Sequence, residues 1–175
     1  MTFRCGAVAG ALAVLQGVAP VYLYVLVFST GVARAEAPAA KDVETIQACL
    51  KGKDSDREQE ACIGIIARPC IGDEGARAPS EVIACFNREE RVWDQLLTTA
   101  YGELDDSLAS EQRDKLRDMQ RSWTDSRERT CAFYYQYFQG SMANPMMANC
   151  RNRETARRAL FLTGFADDLP QNKGR

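Results

Sequence analysis

The sequence predicts an all-α fold: a small disulfide-bonded helical bundle of about five helices after an N-terminal signal peptide. Three observations predict it. Apolar residues recur at helical spacing after residue 40, and no alternating run marks a strand. Serine, asparagine, glycine and proline punctuate the chain where helix caps and stops would need them. Six cysteines follow a long uncharged N-terminal stretch, the pattern of an exported, oxidised domain.

The 175 residues leave room for one domain and a targeting segment. Arg4 is the only charge before Arg34, and the intervening stretch includes the apolar run from Val21 to Phe28. Ala33-Arg34-Ala35 offers small residues where a signal peptidase reads them. Residues 1–35 therefore read as a signal peptide, with an uncleaved anchor as the alternative. The stretch is long enough to span a bilayer, which takes about 20 residues, but Gln16, Pro20 and the glycines argue against permanent membrane insertion. Cys5 falls inside it and lacks the apolar and small residues that precede a lipid-modified cysteine. The expected location of the mature chain is periplasmic or secreted.

Charge divides the mature chain. Residues 36–100 carry 13 acidic and 8 basic side chains, whereas residues 101–175 carry 11 and 12. An acidic half suits a basic protein partner, not nucleic acid.

The elements follow in order. Residues 36–41 are rich in alanine and proline and form a flexible leader. Residues 42–79 read as a Cys-rich helical hairpin. Its first helix spans about 42–52, and its second starts at overlapping capping boxes, Ser55 with Glu58 and Asp56 with Gln59. Pro69 should end that helix, and Gly72, Gly75 and Pro79 make residues 71–79 a loop. A helical domain then covers 80–169. Ser80 caps its first helix, which runs to about Ser107. In the next helix Leu116, Met119, Gln120, Trp123, Arg127, Tyr134, Tyr137 and Phe138 share one stripe. Gln139-Gly140-Ser141 ends it. Asn144-Pro145 reads as a cap followed by proline at the first helical position, opening a last helix that runs toward Gly164. Pro170 closes the fold.

The chemistry-bearing residues argue against an enzyme. The chain has no histidine, so it cannot build Ser-His-Asp or Cys-His catalysis. The carboxylate pairs Asp105-Asp106 and Asp167-Asp168 are adjacent in sequence, so they point apart on a helix. No glycine-rich phosphate loop is present and no cofactor is expected. No Cys-x-x-Cys pair suggests zinc. Met142, Met146 and Met147 fit gap-filling beside a loop better than copper(I) ligation. Arg151, Arg153, Arg157 and Arg158 form a basic patch suited to pairing with the acidic third and fourth helices. In the run from Phe133 to Phe138, Tyr134, Tyr137 and Phe138 should face inward. Phe133 and Tyr135 lie off the stripe, either covered by the following loop or exposed as anchors for a protein partner.

The stretch from Cys85 to about Thr163 resembles the lysozyme-inhibitor family of the LprI type. The carrying residues are Leu96, Leu97, Tyr101 and Leu104, then the run Leu116, Gln120-Arg121, Trp123, Arg127 and Cys131 at spacing Leu-x-x-x-Gln-Arg-x-Trp-x-x-x-Arg-x-x-x-Cys. Gly140-Ser141, Cys150, Thr155 and Arg158 follow. The resemblance implies an exported helical protein that binds another protein, with lysozyme the candidate partner. The matching residues read as structural: Tyr101 and Trp123 as core anchors, and Gln120 and Arg127 as buried polar groups bound to carbonyls or a carboxylate. Thr155 and Arg158 belong to the same structural set. The contact residues nominated are Phe133, Tyr135, Gln139, Gly140, Ser141 and Met142. Cys131 and Cys150 bracket one helix–helix turn, and their pairing matches the family's pair. Hairpin geometry then favours Cys49 with Cys62 and Cys70 with Cys85. Cys49–Cys85 with Cys62–Cys70 is the alternative if the chain folds back at Pro69.

Overall fold

The computed structural model describes residues 37–72 and 78–169. The expected signal peptide or anchor, Cys5, Glu36 of the leader, residues 73–77 and Pro170 lie outside the described residues. Six α-helices and no strand occur among the described residues: α1 (Ala40–Leu50), α2 (Asp56–Glu60), α3 (Ala67–Ile71), α4 (Pro79–Ser107), α5 (Ser110–Tyr137) and α6 (Ala143–Asp167). Gly140–Met142 forms a 3-10 turn between α5 and α6.

The chain is thus a disulfide-bonded all-α bundle. α6 occupies its centre, packing on α4, α5 and α2, while α1 and α3 lie against α4. Small side chains let the long helices approach closely: Ala148, Ala156 and Ala159 of α6 are all buried. α4 presents Cys85, Glu89, Val92, Trp93, Leu97, Ala100 and Leu104, a stripe at three- and four-residue spacing. These close on Ile46, Cys62, Ile66, Leu116 and Leu162 to form one core.

A glutamate is wholly buried against that core. Glu89 and Trp93 are both wholly buried. The Glu89 carboxylate accepts hydrogen bonds from the backbone N–H groups of Gly64 (2.5 Å), Ile66 (2.9 Å) and Ala67 (2.8 Å). It also accepts from Trp93 Nε1 (3.0 Å) and Asn152 Nδ2 (3.2 Å). Three of these donors lie in the chain entering α3, where a helix start leaves N–H groups without intrahelical partners. Glu89 satisfies them from a different helix.

That explains where the second helix departs from expectation. It does not continue to Pro69 but breaks into α2 and α3. Gly64, at φ +93°, turns the chain in the left-handed region, where a side chain would be strained and would press on Arg68. Pro69 does not end a helix; it sits within the first turn of α3, where its missing N–H costs nothing. At the start of α2 the Ser55–Glu58 capping box forms. The Asp56–Gln59 box does not, because Gln59 donates instead to the Lys53 carbonyl at 3.0 Å.

Other boundaries shift by a residue or two. α4 begins at Pro79, so Ser80 does not cap it; Glu81 accepts the Ala78 N–H instead, at 3.1 Å. α6 begins at Ala143 with Asn144 and Pro145 already inside its first turn, no side chain caps it, and it runs past Gly164 to Asp167.

Three disulfides and one ion pair fasten the periphery. Cys49–Cys62 joins α1 to the turn after α2, Cys70–Cys85 joins α3 to α4, and Cys131–Cys150 joins α5 to α6. Arg88 of α4 donates to both carboxylate oxygens of the buried Asp42 on α1, at 2.6 and 2.7 Å. That guanidinium holds the Asp42 carboxyl below the usual carboxylate range.

Candidate partner-binding surface

The α5–α6 turn forms one end of the described helices. Cys131 near the end of α5 and Cys150 near the start of α6 bring their Cα atoms within 5.5 Å and brace it. α5 stops at Tyr137, and Gly140 reverses the chain at φ +80°, a value that favours glycine. Between Arg129 and Arg151 no residue is charged. The flanking arginines are already paired, Arg129 with Asp125 and Arg151 with Glu128.

Phe133, Tyr135, Gln139, Gly140, Ser141 and Met142 are all exposed on this end. The following loop does not cover Phe133, which is 64 % exposed. One inward assignment is overturned. Tyr137 faces solvent at 69 % exposure, its ring 6.0 Å from that of Phe133 one helical turn earlier. Tyr134 and Phe138 are half-buried and stack at 5.9 Å. α5 packs chiefly on α6 and only lightly on α4, which leaves much of its circumference uncovered. These four rings line a shallow groove of about 280 Å³. Met142 stands exposed beside it, with Met146 and Met147 half-buried in the first turn of α6.

The polar residues of the α5 stripe sit closer to the surface than expected. Trp123 and Tyr101 are only half-buried at the edge of the core, and the buried anchor is Trp93. Trp123 lies between two guanidinium groups, Arg127 at 4.8 Å and Arg158 at 5.5 Å from its ring centre. Arg127 donates to the Thr155 hydroxyl at 3.0 Å and to Glu128 at 2.9 Å. Among the described residues Gln120 binds no carbonyl or carboxylate; its amide oxygen accepts from Arg158 Nε at 2.9 Å. The basic patch of α6 divides. Arg151 pairs with Glu128 of α5, Arg157 with Glu60 of α2, and Arg158 stacks on rings while burial pushes its pKa down.

Sequence reasoning missed Glu89 and Trp93. The signal available was an acidic residue on the apolar stripe of α4, one turn before a tryptophan. Among the described residues no group of three or more Cys, Asp or Glu side chains is placed to hold a metal ion. No helix among them is long and apolar enough to cross a membrane.

The architecture is that of a small disulfide-braced helical domain with an uncharged aromatic end. The family model for the lysozyme inhibitor LprI matches residues 70–162, more than half of the chain. The chain belongs to the LprI lysozyme inhibitor family. The match opens at Cys70, ahead of Cys85, and takes in two of the three disulfides together with Glu89, Trp93 and the Trp123 stack. No curated protein and no solved structure matches the chain. Disulfides and membership of an inhibitor family fit a protein that works outside the cytoplasm.

Proposed function

We propose that the mature chain is a periplasmic or secreted inhibitor of a lysozyme-type muramidase, and that the α5–α6 end occludes the enzyme's cleft. The observation that carries this reading is the uncharged α5–α6 end, where Phe133, Tyr135, Tyr137 and Met142 are all exposed and Cys131–Cys150 braces the turn, in a member of an inhibitor family. Aromatic rings on a rigid mount lose little freedom on docking, and methionine adapts its shape to a partner's surface; both exclude water. Gln139, Gly140 and Ser141 supply polar groups beside them. The acidic half of the chain would draw in a basic enzyme over longer range. Inhibition of a basic lysozyme by the purified mature chain, lost on changing the cluster, tests the reading. A cell-envelope adaptor with another protein partner is the second reading; the same exposed cluster would serve it, and an absence of inhibition would favour it.

A further inference from the structure

A second exposed aromatic pair lies at the other end of α6. Phe161 and Phe165 are 47 % and 53 % exposed, with ring centres 5.0 Å apart in an edge-to-face arrangement. Phe165 lies 22 residues beyond Ala143 in the same helix, which places it about 33 Å from the aromatic end at 1.5 Å per residue. A docked helix shorter than about 22 residues cannot span both.

Phe165 and Asp168 line two grooves at once. On one side is a largely apolar groove of about 400 Å³, walled by five leucines and Met119, with Lys115 its one base. On the other is a groove of about 640 Å³ bordered by Asp54, Asp56, Glu60, Asp167 and Asp168, with Lys53 and Arg157 the only bases. Glu60 is paired with Arg157 at 3.4 Å. Asp54, Asp56, Asp167 and Asp168 form no ion pair among the described residues. An apolar ridge between an apolar trough and a row of unpaired carboxylates selects a segment with apolar side chains flanked by cations. A second copy of this chain would set carboxylates against carboxylates, which costs energy.

We propose that this end of α6 is a second docking surface, for a basic amphipathic segment of a protein partner. The segment's apolar side chains straddle Phe165, and its lysines or arginines meet Asp54, Asp56, Asp167 and Asp168. The proposal stands independently of the aromatic end and of what that end binds.

The probe is a short fluorescein-labelled amphipathic helix of leucine and lysine, read by fluorescence anisotropy against the full mature chain at low salt. The control peptide carries glutamate in place of lysine. The lysine peptide binds and the glutamate peptide does not. Phe165→Ser weakens binding roughly tenfold, as loss of an aromatic anchor does. Asp167→Asn with Asp168→Asn weakens it and flattens its salt dependence. Tyr137→Ser leaves it unchanged. Equal binding of both peptides overturns the proposal, as does undiminished binding by either the Phe165 or the aspartate variant. Sedimentation that shows a dimer of the mature chain, split by Phe165→Ser, would make a second copy the occupant and overturn it as well.

Discussion

Glu89 accepts the indole N–H of Trp93 at 3.0 Å, one helical turn along α4, with both side chains wholly buried. The same carboxylate holds the chain entering α3 through three backbone N–H groups and reaches α6 through Asn152. One side chain therefore joins the Cys-rich N-terminal segment to α4 and α6. An amide at this position would keep one acceptor oxygen and turn an N–H₂ group toward N–H donors. Glu89→Gln should lower stability by about 3 kcal/mol, because buried donors would be left unpaired. Urea unfolding of the oxidised protein measures it.

The neighbouring glutamate should behave in the opposite way. Burial raises the Glu90 carboxyl above its ordinary value, against the pull of Arg151 and Arg127. A raised acid holds its proton more firmly in the folded state than in the unfolded one. Its ionised form at neutral pH therefore weighs against folding, and that handicap fades as pH falls through the raised value. Glu90→Gln should leave stability at pH 7 unchanged or raise it. A loss as large as that of Glu89→Gln would contradict this assignment.

Asp42 has the reverse sign. Its hydrogen bonds from Arg88 lower its carboxyl from the ordinary value of 3.8. The stabilisation is complete above the unfolded-state value and is lost as pH falls through the lower folded value. Asp42→Asn should cost about 1 kcal/mol at pH 7. The gap between parent and variant should narrow as pH drops below about 4. Unfolding free energies measured across this range check both the size and the direction.

These residues show what a single sequence carries. The long helices were legible because apolar spacing over many turns is a strong signal, and the all-α class follows from it. Glu89 was not legible as a hub. Three of its donors lie 22 to 25 residues upstream, in a turn that no local pattern links to the carboxylate. For the same reason a continuous helix to Pro69 was the simpler reading of residues 55–69. Trp123 stood out over Trp93 because its stripe also held Gln120 and Arg127, yet that stripe lies at the edge of the core. Tyr137 falls at the right angle to face inward, but angle alone cannot tell how much of α5 its neighbours cover.

The Cys131–Cys150 bridge closes a loop across 19 residues of sequence. Replacing both cysteines by serine should cost about 3 kcal/mol, chiefly by freeing the unfolded chain. The helices should persist by circular dichroism while the aromatic end loosens. Hydrogen exchange from the backbone of residues 132–149 should quicken, whereas α4 stays protected.

Export predicts processing after Ala35, giving a mature chain that begins at Glu36. The intact mass of protein recovered from the periplasm or medium measures this. Recovery of the unprocessed chain in the membrane fraction would support the anchor instead.

The most direct test of the proposed function is residual muramidase activity of a basic lysozyme on peptidoglycan, titrated with the purified mature chain. Activity should fall with added chain, and raised salt should weaken the effect by screening the acidic half. Exchanging Phe133, Tyr135, Tyr137 and Met142 for serine should abolish inhibition while the circular dichroism spectrum stays that of the parent. Full activity at a large molar excess, against several lysozyme types, would contradict inhibition. Inhibition undiminished by the four exchanges would contradict the aromatic end as its site.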